Sequence, residues 1–145
     1  MKNDNFTTTI LVDRSPEEVF DAVRNVRGWW SGLYSEEITG NTEKLNEEFT
    51  FRAGGGMHYS RQKIVETIPG KKVVWLVTDS ALQFLKKKDE WTGTKITFDI
   101  SKKGDKTMLV FTHVGLVPEA ECYDSCSPAW SQYVKEKLVH LIGSK

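Results

Sequence analysis

The stretch from Val117 to Lys145 constrains the fold more than any other. Counted from Pro128, its apolar positions are Trp130, Tyr133, Val134, Leu138, Leu141 and Ile142. That is the i, i+3, i+4 spacing of one helix face. Ser131, Lys135, Glu136 and Lys137 fall between them and stay wet. Ser127 is placed to cap the N-terminus, Pro128 suits the first turn and Gly143 suits the end. Such a helix is roughly 22 Å long, enough to cross a sheet of several strands. Its stripe carries a tryptophan and a tyrosine, so it needs a large apolar partner.

The rest of the chain supplies that partner. Phe6 to Val12 alternates as a strand, and Ser15-Pro16-Glu17-Glu18 reads as a capping box with proline at the first helical position. Val19, Phe20, Ala22 and Val23 give one short helix its apolar face, and Val26, Trp29 and Trp30 give a second. Tyr34 to Glu43 reads as an edge strand with Ile38 inward. Glu48 to Ala53 and Met57 to Ile68 flank Gly54-Gly55-Gly56, a hairpin turn, with Ile64 and Ile68 on one side of the second strand. The glycines lack the Lys-Ser/Thr and the following helix of a phosphate loop. Lys72 to Thr78 is apolar on both faces, which predicts a central strand. Leu82 to Leu85 extends it before a charged loop. Lys95 to Ile100 and Thr107 to Val114 alternate around a Gly104-Asp105 turn, and Glu119 to Ser125 makes a helical turn into the terminal helix. Runs of strands with segregated helices predict one α+β domain over 1–145, with a curved antiparallel sheet of about 6–7 strands gripping the last helix. A gap between sheet and helix would be a ligand cavity.

Lysine plus arginine and aspartate plus glutamate both number 20. That balance offers nothing to nucleic acid or to an anionic membrane. The Lys86-Lys87-Lys88 run beside Asp89 and Glu90 reads as a solvated loop. Met1 to Phe6 holds no signal-peptide core, and no apolar run is long enough to span a membrane. The expected location is therefore the cytoplasm, with Cys122 and Cys126 as reduced thiols.

Three segments resemble a known superfamily: Ser15 to Phe20 with Trp29-Trp30; Asp89-Glu90-Trp91-Thr92-Gly93-Thr94-Lys95-Ile96; and Thr112 to Pro118 with Cys122-Tyr123 running into Ala129-Trp130. The pattern resembles the START-like, helix-grip fold of the birch pollen allergen, polyketide cyclases and lipid-transfer domains. Within it, the nearest branch is that of heat-shock ATPase-activator homologues. The resemblance implies a hydrophobic-ligand cavity, a cyclase or aromatase site, or a chaperone-binding surface. Co-chaperones of that branch carry a separate N-terminal activating domain, whereas this chain starts at its first strand, so ligand binding is the leading expectation.

The chemistry agrees with that order. No Ser-His-Asp order, HExxH or Rossmann fingerprint is present. A cyclase would need polar groups inside the cavity, and Arg52, Tyr59, Glu66 and His113 are the candidates. Among the histidines, His140 suits a helix C-terminus, and His58 after the glycine turn reads as exposed. His113 shares a face with Leu109 and Phe111; it either stands at a cavity mouth, to orient a ligand or act as a base, or is a satisfied histidine near a strand end, the more economical reading. Cys122 and Cys126 lack the further ligands of a zinc site and the spacing of a CxxC redox pair. The expectation is a noncatalytic protein without cofactor or metal, binding a small lipid- or polyketide-like molecule, with a chaperone or other protein as the alternative partner. Trp30, Phe51, Trp75, Phe98, Leu109, Phe111, His113, Trp130 and Tyr133 are the expected lining.

Overall fold

The computed structural model describes residues 5–143. The expected absence of a signal-peptide core falls largely on residues 1–4, outside those described. Strand β1 (Phe6–Val12) leads into α1 (Pro16–Arg24) and α2 (Val26–Trp29). The strands β2 (Glu37–Gly40), β3 (Glu48–Ala53), β4 (His58–Ile68), β5 (Lys72–Leu82), β6 (Lys95–Lys103) and β7 (Lys106–Val114) follow. They form one antiparallel seven-stranded sheet in the order β1-β7-β6-β5-β4-β3-β2. The doubly apolar β5 is its middle strand. The two short helices carry the chain from one sheet edge to the other.

The start of α1 is fixed by its cap. Ser15 Oγ accepts from the Glu18 backbone N–H at 3.1 Å, and Glu18 Oε1 accepts from the Ser15 N–H at 3.0 Å. Both otherwise orphaned donors are thereby satisfied. Ser15→Ala should cost about 1 kcal/mol, read as a lowered urea midpoint with an unchanged slope. The Gly54–Gly56 turn has φ of 62°, 69° and 97°, left-handed values that an L side chain resists.

Alternation places Ile10, Val12, Phe49, Phe51, Ile64, Val73, Trp75, Val77, Ile96, Phe98, Leu109 and Phe111 in the buried core. Ile68 departs from the expected pattern. A bulge between Ile64 and Glu66 shifts the register, so Ile68 is exposed rather than on the face of Ile64. β2 is shorter than expected, with Ile38 packed on the core as predicted. β5 ends at Leu82, and Gln83 to Leu85 turns away.

The terminal helix covers the inner face of the sheet. It runs without a break from α3 (Tyr123–Gln132), through a wider π-helical stretch (Tyr133–Leu138), into α4 (Val139–Gly143). The expected Ser127 cap is wrong, and Pro128 lies inside the helix. Cys122 is the N-cap residue, and the turn just ahead of it is held by a group from far away in the chain. Glu90 accepts from the backbone N–H groups of Glu121 at 2.6 Å and Cys122 at 2.8 Å. A carboxylate at a helix N-terminus also complements the dipole. Trp130, Tyr133, Val134, Leu138 and Ile142 are all buried.

Candidate functional site

All five tryptophans are buried, and they pack as aligned slabs between sheet and helix. Trp30 follows α2, lies on Phe51 of β3 (centroids 3.8 Å, planes 11° apart) and stacks on Trp130 of α3 at 4.9 Å. Trp130 stacks in turn on Trp91 at 5.8 Å, planes 12° apart. Trp29 and Trp75 continue the stack into the core at 6.2 Å.

A cavity of about 330 Å³ opens against this stack. It is floored by Trp30, Phe51, Trp91, Trp130 and Tyr133 and rimmed by Tyr34, Met57 and Phe84. The volume lies at the lower end of ligand pockets, which span roughly 300–1,000 Å³. The floor residues are buried and the rim residues are about half exposed. His58 completes one wall, edge-on to Phe51 (5.2 Å) and Trp91 (4.6 Å). Burial pushes its imidazole down to about 4, so it is neutral at pH 7. Its Nδ1 is shut from solvent and makes no hydrogen bond.

The Tyr133 hydroxyl donates to Glu36 Oε2, and Glu36 also accepts from the Leu33 N–H at 3.1 Å. Burial raises the Glu36 carboxyl, but these hydrogen bonds outweigh it and hold the group below its usual range. Burial and then the Glu36 contact push the Tyr133 phenol upward. The pair is a carboxylate facing a neutral phenol.

His113 is not at the mouth. It is fully buried and satisfied on both sides: Nδ1 accepts from Trp130 Nε1 at 3.0 Å, and Nε2 meets Thr94 Oγ1 at 2.8 Å. Burial, and then the neighbouring His58, depress it to about 3. Accepting the indole N–H requires a neutral ring, so geometry and charge agree. The economical reading of a satisfied histidine describes it.

Residues 13–143 match the family described as Activator of Hsp90 ATPase homolog 1-like protein. The chain belongs to that family. Its fold is that of the solution structure of the Aha1 dimer from Colwellia psychrerythraea, with a TM-score of 0.74 at 23% identity over 97% of this chain and 98% of that one. Protein MLL2253 from Mesorhizobium loti aligns with a TM-score of 0.71 at 16% identity, over 96% and 98% of the two chains. DynU16, encoded in the dynemicin biosynthetic locus, aligns at 0.64 and 12% identity, over 99% of this chain and 48% of its own. At these identities the likeness is one of fold. Among curated proteins none matches the sequence.

In this member of the Aha1-like family, the expected lining divides in two. Trp30, Phe51, Trp130 and Tyr133 line the cavity. Trp75, Phe98, Leu109, Phe111 and His113 share the inward face but lie beneath it, within the core. His58, Trp91, Met57 and Phe84 are lining residues that sequence reasoning missed. Parity carried a signal for the first: His58 alternates with Ser60, Gln62 and Ile64, all buried. Of the cyclase candidates, Arg52 is exposed, with its guanidinium over the Tyr59 ring at 5.0 Å, and Glu66 pairs with Lys72 at 3.9 Å. None of the three lines the cavity.

The two cysteines also correct an expectation. They are not free thiols: Cys122 and Cys126 form a disulfide, with Cα atoms 5.5 Å apart. Their four-residue spacing at the start of α3 puts both side chains on one face. Among the described residues no cluster of His, Cys, Asp and Glu could hold a metal, and no helix is long and apolar enough to cross a membrane.

Proposed function

We propose that this protein binds a small hydrophobic molecule, without chemical conversion, in the cavity between sheet and terminal helix. The observation that carries the reading is the cavity that opens against the tryptophan stack. Apolar rings cover its floor and Tyr34, Met57 and Phe84 surround its mouth. Apolar surface left accessible in a concave site is released from water by a fitting guest. The cyclase reading is weaker, because Arg52, Tyr59 and Glu66 lie away from the cavity and His113 is engaged in the core.

Nile red, a neutral apolar dye, should bind saturably and quench tryptophan fluorescence. Ala129 lines the cavity from α3 and is only half-buried, so Ala129→Phe fills the space without removing core. That variant should weaken dye binding by about tenfold or more, or 1.4 kcal/mol, while keeping its melting temperature. If Nile red and a panel of fatty acids, flavonoids and polyketide mimics show no saturable binding, the carrier reading fails. A protein-interaction module of the chaperone-activator kind then takes its place.

A further inference from the structure

We infer that the guest is a flat, uncharged aromatic molecule bearing a hydroxyl group, that His58 is its polar anchor, and that the cavity turns away carboxylate-bearing chains. The inference rests on the proposed binding function and adds the class of ligand.

Shape is the first ground. Phe51, Trp30, Trp130 and Trp91 stack with successive planes 11°, 28° and 12° apart. A planar ring laid against these near-parallel rings gains the aromatic contacts that favour ring pairs beyond their buried area. A flexible alkyl chain gains no stacking and gives up rotamer freedom on entry.

Charge is the second ground. Among the described residues no lysine or arginine lines the cavity. The carboxylate beside it is Glu36, held by the Tyr133 hydroxyl. A ligand carboxylate would lose its hydration, find no counter-ion and meet a like charge. Burying an unpaired charge is far costlier than burying a hydroxyl.

The third ground is an imidazole in the cavity wall. His58 stands in the wall between Phe51 and Trp91, and its buried Nδ1 has no hydrogen-bond partner. With Nδ1 shut from solvent, Nε2 is the nitrogen left for a guest. A hydroxyl both donates and accepts, so it satisfies the imidazole in either tautomer.

The test uses the full chain at neutral pH and compares 2-naphthol, naphthalene, 2-naphthoate and dodecanoate by displacement of Nile red. 2-Naphthol should bind about tenfold tighter than 2-naphthoate or dodecanoate, and severalfold tighter than naphthalene. In His58→Phe, naphthalene affinity should persist while the advantage of the hydroxyl disappears. His58→Gln keeps a donor and an acceptor, so it should retain part of that advantage, and it serves if the phenylalanine variant folds poorly. If 2-naphthoate or dodecanoate binds as tightly as 2-naphthol, or if both His58 variants leave the hydroxyl preference intact, the inference is overturned and the carrier reading stands. Failure of the dye and all four compounds to bind overturns both.

Discussion

Alanine in place of Trp130 should lower the unfolding free energy by about 3–5 kcal/mol, at the upper end of large-to-small core changes. Trp130 packs at 4.9 Å on Trp30, 4.7 Å on Phe111 and 5.8 Å on Trp91, so its loss opens a void where helix meets sheet. It also strips the donor from His113, leaving a fully buried imidazole acceptor without its partner. Trp130→Phe separates the two effects. It restores most of the volume but not the N–H, so its cost should fall to about 1–3 kcal/mol, the penalty for an unmet buried acceptor. Urea unfolding read by far-ultraviolet circular dichroism measures both. Wild-type stability in Trp130→Ala would show that the terminal helix does not hold the sheet as described.

The second large effect is on acid stability. His113 titrates near 3 in the folded chain and near 6.5 when unfolded. Between those values the unfolded chain binds the extra proton, so stability rises with pH there. The contribution of His113 is complete above about pH 6.5 and is lost as the pH falls toward 3. By pH 5 the loss should be about 2 kcal/mol. His58, depressed to about 4, acts in the same direction. Unfolding free energies at pH 7 and pH 5 should therefore differ by at least that amount. In His113→Gln, which keeps an acceptor but no titrating group, the slope between the two should flatten markedly. An unchanged slope in that variant would mean that His113 is charged, or accessible, in the folded protein.

Local periodicity made the sheet and the terminal helix legible. Alternation in β3, β6 and β7 sorted inward from outward side chains, and β5 announced its central place by being apolar on both faces. What local pattern does not contain is depth and distance. The parity of His113 was right, yet parity does not say that Trp91 and Trp130 close over it. The start of α3 was misplaced because the turn before it is held by Glu90, supplied by a loop 32 residues before Cys122. Ile68 was assigned to the wrong face because a bulge adds one residue without any glycine or proline to mark it. His58 was passed over because it follows three glycines, and because its inward neighbours Ser60 and Gln62 are polar and so mimic a wet face.

The wider turn in the terminal helix restricts how the chain can change length. Cys122, Cys126, Trp130, Val134, Leu138 and Ile142 are buried at strict intervals of four. On a regular α-helix a four-residue repeat drifts about 40° at each step and would soon leave the sheet. The π-helical Tyr133–Leu138 stretch advances less per residue and brings the row back. Exposed turns such as Gly104-Asp105 can grow or shrink during divergence at little cost. A single deletion inside Tyr133–Leu138 is absorbed when the wide turn reverts to regular α-helix, whereas one elsewhere in the helix would rotate everything after it by about 100°, carrying Ile142 off the sheet. One-residue changes of length in this helix are therefore expected at the wide turn or at the helix ends.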